Sequence, residues 1–240
     1  MTTTIRTVLF GALAFGFTPT ASAAQAQVDT VRAGAARPLE LRTGADTSDT
    51  YAVRGGERRK MMTYVETIAE DAEGYLIVGT NVRPDGAVFS VDSLTVARGT
   101  LVPLRHADQG PQGRMTVEYR AGRLTGMSAD TTGVASSVDV ASAEGSFDYS
   151  MANRVINLLP LRPGYAGVVM SHDIRRGPVS LAFTVTGEDT LTVGDRTAKA
   201  WTVEVDLGRA RATRWIDQET RRDLKTRVVF PGGEMVVEHR

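Results

Sequence analysis

Residues 222–239, RDLKTRVVFPGGEMVVEH, predict two β-strands joined by a tight turn. Leu224 and Val228 share one face of the first strand and alternate with charged side chains, which is the period of a half-buried strand. Pro-Gly-Gly then supplies the turn, because glycine takes the backbone angles that a tight turn needs. Met235 and Val237 face inward on the second strand. This stretch therefore predicts an antiparallel hairpin with one face on a core and one in water.

The same pattern recurs along the chain. Arg114–Arg120 and Val179–Thr186 alternate apolar and polar residues, and Thr50–Arg54 is joined to Arg58–Ile68 by Gly55-Gly56. Strands and helices do not alternate as they do in parallel α/β proteins. The fold class predicted is therefore mainly β, a single curved antiparallel sheet that forms an open half-barrel.

One segment has the period of a helix. In SFDYSMANRVINLL (146–159), Phe147, Met151, Val155 and Leu158 are spaced by four, four and three residues, and a proline follows at position 160. An open curved sheet leaves an inner face that something must cover. We therefore expect one short helix packed in the concavity.

The first residues predict an export signal. Arg6 precedes the apolar run Val8–Phe17, and the small-x-small sites Ala21-Ser22-Ala23 and Ala24-Gln25-Ala26 follow. This arrangement is typical of a secretory signal peptide, whereas a membrane-spanning helix needs about 20 apolar residues. We expect a cleaved signal at 1–26, a periplasmic or extracellular location, and no transmembrane segment in the mature chain.

Composition limits the domain plan and the partners. After the signal, residues 27–49 lack a sustained period and predict a flexible N-terminal tether, so the β half-barrel domain is placed at 50–240. The chain has no cysteine, which predicts no disulfide and no lipoprotein anchor. The 28 basic and 28 acidic residues include no long basic run, so no nucleic-acid partner is expected.

Several stretches resemble an exported bacterial domain family of unknown function. They are TLVPLRH (100–106), SFDYSMANRVINLLPLRPG (146–164), VTGEDTLTVGDRTAKAWTVEV (185–205) and TRWIDQETRRDLKTRVVFPGGEMVV (213–237). That family is similar in outline to the outer-membrane lipoprotein carriers. The resemblance implies an open half-barrel holding helices in its concavity, and it brings no catalytic residue.

The candidate reactive residues give no motif. His106, His172 and His239 are too far apart for a short zinc motif, so no metal ligand is assigned. Neighbours on a strand face opposite ways, so Ser171-His172-Asp173 cannot form a triad and is interpreted as solvated strand-end residues. Glu66 and Asp217 stay open as carboxylates of a hydrolase, because sequence does not exclude a distant catalytic pair.

One aromatic residue is singled out for ligand binding. Trp215 has polar neighbours on its strand face and is predicted to line an accessible groove, whereas Trp201 lies among valines. The leading hypothesis is a non-enzymatic exported envelope protein that binds an apolar or amphipathic, lipid-like ligand or an envelope partner in its concave face, without a cofactor. The alternatives are a secreted hydrolase with dispersed catalytic residues and a structural module that pairs through a sheet edge.

Overall fold

The computed structural model describes residues 28–35, 39–120 and 122–240. The predicted signal peptide at 1–26 lies outside the described residues. The strands, in chain order, are β1 (Val28–Val31), β2 (Gly44–Arg54), β3 (Glu57–Glu70), β4 (Gly74–Val82), β5 (Val88–Ala97), β6 (Pro103–Gly110), β7 (Gly113–Arg120), β8 (Arg123–Ala129), β9 (Ala135–Ala141), β10 (Phe147–Asp148), β11 (Ala166–Asp173), β12 (Gly177–Val193), β13 (Arg196–Asp206), β14 (Arg211–Asp217), β15 (Asp223–Phe230) and β16 (Gly233–His239). A 3₁₀ turn (Tyr149–Met151) leads into the helix α1 (Ala152–Leu158).

Within these residues, sixteen strands form one open sheet. Its order is β1-β11-β12-β13-β14-β15-β16-β2-β3-β4-β5-β6-β7-β8-β9, and β10 also pairs with β11. Most neighbours are antiparallel hairpins, as at Gly55-Gly56, where both glycines have positive φ. The predicted mainly β fold with one open sheet and one short helix is confirmed.

The sheet is mixed at one end. β1 and β10 lie one after the other along the same side of β11, and both run parallel to it. The 3₁₀ turn and α1 form the crossover that a parallel β10–β11 pair requires. The sequence prediction of a purely antiparallel sheet is corrected at this edge only.

The core shows that the sheet curves. Val169 on β11, Leu94 on β5 and Val155 on α1 are buried in one cluster. In the strand order, β11 and β5 are nine inter-strand spacings apart, about 43 Å in a flat sheet. Both strands reach one short helix only because the sheet bends around it. Val155 is 0% exposed and Met151 1%, as the helical spacing predicts, and Leu158 is partly buried.

The described parts of the segment predicted as a tether, residues 28–35 and 39–49, form strands or pack against the core for much of their length. Residues 28–31 form β1, residues 44–49 belong to β2, and Leu39 and Leu41 are buried in the main core. Leu39 also pairs with Gly99 in an isolated bridge. A few isolated apolar residues in a polar stretch form no repeating pattern, so the sequence did not predict these strands and contacts. The helices of the described chain are too short or too polar to cross a bilayer.

Candidate functional site

Two of the three histidines approach one carboxylate. His106 is on β6, and its Nδ1 lies 2.6 Å from Oδ2 of Asp148 on β10. His172 on β11 is the register partner of Asp148, which acts on it electrostatically. His239 lies elsewhere, 3.2 Å from Asp46 through Nδ1. Ser171 and His172 are 1% and 2% exposed, so the interpretation as solvated strand-end residues is wrong: β10 pairs with β11 at these positions and covers them.

Asp148 is the centre of a buried hydrogen-bonded cluster. The Tyr119 hydroxyl on β7 donates to Oδ2 at 2.5 Å, and the backbone N–H of Ser150 donates to Oδ1 at 2.9 Å. Burial alone would raise the pKa of Asp148, but the hydrogen bond with His106 and its charge lower the pKa below the ordinary value. Burial alone would lower the pKa of His106, and the Asp148 carboxylate raises it. Each group therefore favours the charged form of the other.

A second ion pair joins the same elements. Nε of Arg175, which follows β11, donates to Oδ2 of Asp108 on β6 at 2.7 Å. The five residues His106, Asp108, Tyr119, Asp148 and Arg175, called the clasp below, connect β6 and β7 to β10 and the end of β11. These elements lie far apart in the strand order. The clasp therefore joins two arms of the curved sheet, one that contains β2–β7 and one that contains β10–β13.

The clasp resembles part of a catalytic triad in one respect only. Asp148 orients His106 through Nδ1, as the aspartate of a Ser-His-Asp triad does. Nε2 of His106, however, is enclosed and hydrogen-bonded to nothing in the described chain, and the buried hydroxyls of Ser146 and Ser171 also lack partners. No nucleophile in the described chain is hydrogen-bonded to His106. Nor do three His, Asp or Glu side chains of the described residues converge to hold a metal ion.

Next to the clasp, carboxylates cross the concave face in register. Asp46 lies opposite Glu66, Gly79 lies between Glu66 and Asp92, and Asp92 lies opposite Asp108. Glu66 and Asp92 lie two residues from the buried Ile68 and Leu94 on their strands and so share their face. The register places Asp46 beside Glu66 and Asp108 beside Asp92 on that face, and these four carboxylates are called the carboxylate row below.

Cations compensate three members of the carboxylate row. Two of these cations are arginines, Arg154 from the helix with Glu66 and Arg175 with Asp108. The third partner is the His239 side chain, whose Nδ1 lies 3.2 Å from Oδ2 of Asp46. Asp92 makes no ion pair with a described residue. Burial, together with the charges of Asp108 and Asp148, raises the pKa of Asp92 despite the opposing effect of His106. Like charges on neighbouring strands destabilise the sheet, and these ion pairs offset part of that repulsion.

The helix is also held by a polar contact. Arg214 on β14 is 1% exposed and donates to both carboxylate oxygens of Asp223, to Oδ1 of Asn157 at 2.7 Å and to the carbonyl of Asn153 at 3.2 Å. Asn157 in turn donates to Asp223 at 3.0 Å. Each of the three guanidinium nitrogens therefore faces an acceptor, as a buried charge requires.

A groove opens where the two arms meet. It measures about 1010 Å³ and is bounded by the segment Arg32–Ala35, the residues Val102 and Pro103, the residues Arg120, Gly122 and Arg123, and the segment Ser142–Ser146. Ala33, Val102, Pro103 and Ala143 give apolar surface, and Tyr119, a member of the clasp, also belongs to the lining.

The charged lining of the groove is mainly basic. It comprises Arg32, Arg120 and Arg123 against Glu144 alone. The Arg120 and Arg123 side chains are 76% and 54% exposed, and their ion pairs with Glu118 and Asp139 are surface contacts. Exposed pairs of this kind contribute about 0–1 kcal/mol, so these arginines can turn to an anion in the groove.

Trp215 does not line this groove. Its strand neighbour Ile216 is buried in the main core, whereas Trp215 packs with Ala198, Ala200 and Leu224 in a second cluster on the other face. Its Nε1 lies 3.3 Å from Asp189. A role of Trp215 in ligand binding stays a prediction, and the structure places such a contact on the convex face. Trp201 packs against the main core under the Arg221 guanidinium, 4.3 Å from the ring centre.

The carboxylates proposed for a hydrolase do not come together. Glu66 belongs to the carboxylate row and pairs with Arg154. Asp217 accepts the backbone N–H groups of Glu219 and Thr220 and pairs with Arg196, so it closes the β14–β15 turn. Sequence reasoning missed Tyr119 and Asp148. The only local signal was Asp148-Tyr-Ser, in which aspartate precedes a helical turn and accepts the backbone N–H of Ser150.

Comparisons with known proteins add a family and one structure. Residues 50–236 match a family described as "Protein of unknown function (DUF3108)". The crystal structure of the hypothetical lipoprotein YmcC from Escherichia coli K12 is similar at 14% identity and a TM-score of 0.33, covering 80% of this chain and 86% of that chain. No curated protein matches the chain.

Proposed function

We propose that this chain, which belongs to the DUF3108 family of proteins of unknown function, is a non-enzymatic exported protein that binds an amphipathic ligand. The ligand lies in the groove where the two arms of the sheet meet, with an anionic head group at the arginines. The observation that carries the proposal is the groove of about 1010 Å³ with apolar walls and three arginines against one glutamate. Pockets for ligands of drug size measure about 300–1,000 Å³, so an acyl chain fits.

The apolar and charged parts of the groove determine the ligand class. Val102, Pro103 and Ala143 offer surface for a hydrocarbon chain, and each buried methylene contributes about 0.8 kcal/mol. An anionic head group meets Arg120 and Arg123, whose present partners are exposed. The half-barrel carriers that the sequence resembles support the proposal only by analogy of fold. Export rests on the pattern of residues 1–26, and N-terminal sequencing of protein from its host tests it.

Binding is tested with two probes of equal chain length and opposite charge. Dodecanoate and dodecyltrimethylammonium, both below their micellar concentrations, compete with an environment-sensitive dye. We expect the anion to displace the dye saturably at lower concentration than the cation. Equal displacement by both probes, or none by either, would overturn the proposal.

Paired variants locate the head group. Replacing Arg120 and Arg123 with glutamine should weaken dodecanoate binding by about twofold to thirtyfold, since each exposed charge contact contributes about 0.2–1 kcal/mol. The control replaces Arg209 and Arg211, which are exposed at the β13–β14 turn away from the groove, and should leave affinity unchanged. Melting curves must match between the variants, so that a difference in dye binding does not come from partial unfolding.

A further inference from the structure

The β9 strand forms an open edge of the sheet. It ends the strand order and pairs with β8 alone, in an unbroken register from Ala135 to Ala141. Six of its seven residues are exposed, and only Val138 is partly buried. In the described part of the chain, no residue pairs with its outer backbone N–H and C=O groups. Such an edge is a template for another strand.

This edge lacks the features with which proteins block such pairing. Lysine, proline, a bulge or a very short strand usually protects an edge. β9 (ASSVDVA) has none of the first three and is seven residues long, whereas β1 at the other end has four. Its one charge, Asp139, is engaged by Arg123 on β8. Compared with β1, the β9 edge is therefore better suited to pair with another strand.

We propose that β9 pairs antiparallel with β9 of a second copy of this chain, in a two-fold register centred on Val138. This register uses all seven residues and places Val138 opposite Val138, Ser137 opposite Asp139, Ser136 opposite Val140 and Ala135 opposite Ala141. No like charges face each other, whereas a register centred on Asp139 would place two aspartates together. Like charges directly opposite are destabilising, so the sequence of the strand selects the centred register.

Exposed apolar side chains around β9 support the same partner. Val134, Met127 and Val140 are 64%, 53% and 43% exposed, and all three lie on or beside β8 and β9. In the two-fold pair, the two strands keep a common face, so Val138 and Val140 continue the concave surface into the second copy. The interface is small because it consists mainly of one strand pair, so the dimer should dissociate on dilution.

Single cysteines test the register, because the natural chain contains none. In the proposed pair the two Cα atoms at position 138 are about 4.5–5.5 Å apart, within disulfide range. The two at position 136 are offset by four residues, about 14 Å, which is beyond the limit of about 7 Å. Under mild oxidation, Val138→Cys should form a covalent dimer and Ser136→Cys should not. Equal cross-linking of both variants, or none of either, would overturn the proposal.

Sedimentation over a dilution series tests the pairing without a cross-link. The wild-type chain should shift from dimer to monomer on dilution. Val138→Lys should be monomeric throughout, since two lysines would meet at the two-fold axis. The control Val88→Lys, at a 61% exposed position on β5, should sediment as the wild type does. A wild-type chain that is monomeric at every concentration would refute the proposal, as would a dimer that survives Val138→Lys in a folded protein.

Discussion

The two arms of the sheet present different chemistry to the same helix. On β11–β13, Val169, Leu181, Phe183, Val185 and Val203 are at most 3% exposed and pack as a continuous apolar surface. On β2–β6, the carboxylate row lies beside the buried Ile68 and Leu94, and Arg154 and Arg175 from other elements pair with two of its members.

The contrast shows that the two arms are stabilised in different ways. The apolar arm obtains its stability from burial, which needs no partner of defined geometry. The polar arm is stable only where each buried carboxylate meets a cation or donor. The clasp and the groove both lie where the two arms meet, with β6 and β7 on one side and β10 and the segment before it on the other.

The largest effect is expected on the apolar side. Val155→Asp places a charge at a 0% exposed position against the apolar arm, where no cation pairs with it. The free energy of unfolding should fall by about 4 kcal/mol. Asn153→Asp, at an exposed position of the same helix, should change it by less than about 0.5 kcal/mol. Urea denaturation measures both, and equal effects would show that the helix is not docked through Val155.

Removing Arg214, which binds the helix through Asn157, should lower the free energy of unfolding somewhat less. Arg214→Ala removes the cation that pairs with Asp223 and leaves that carboxylate mostly buried, for a loss of about 3 kcal/mol. Arg227→Ala is the matched control, because Arg227 pairs with Glu234 at the surface and should contribute at most about 1 kcal/mol. A loss no larger than that of the control would contradict the role given to Arg214.

The clasp predicts a pH-dependent difference. The pKa of His106 is raised above 6.5, so its stabilisation is complete below that pH and is lost as the pH rises through the folded value. His106→Gln keeps a hydrogen-bond donor near Asp148 but carries no charge. The wild type should be more stable than this variant by about 2 kcal/mol near pH 5.5, and the difference should shrink toward pH 9. A difference that does not change with pH would contradict a titration of His106 in this range.

The smallest effect is expected at Trp215. Because its ring packs in the second cluster on the convex face, Trp215→Ala should change dodecanoate affinity by less than about twofold. Tyr119→Phe, within the groove lining, removes the hydroxyl that Asp148 accepts and is the comparison variant. Competition with the dye measures both affinities. A strong loss at Trp215 in a fully folded protein would move the site to the convex face.

Sequence reasoning succeeded where a short period repeats. The alternation in Val179–Thr186 predicted a strand with Leu181 and Phe183 inside, and both are buried. It failed where a bulge changes the register: between Trp215 and Ile216 the pairing shifts, and Leu224 turns into the second cluster instead of the main core.

The site depends on contacts that no local pattern contains. His106 and Asp148 are 42 residues apart, and Arg175 and Asp108 are 67 apart. They meet because the sheet curves and because a short helix returns the chain parallel to β10. Neither fact is encoded in the period of a single strand, so the sequence prediction placed Ser171 and His172 in solvent although β10 covers them.

The proposed ligand binds in the groove between the arms and not on another apolar surface. Val102 and Val91 are both 36% exposed, but only Val102 lines the groove. Since the natural chain has no cysteine, each position can carry a single cysteine with an environment-sensitive fluorophore. Dodecanoate should shift the emission of the Val102 label saturably and leave the Val91 label unchanged. An equal response at both positions, or a response at Val91 alone, would contradict the account.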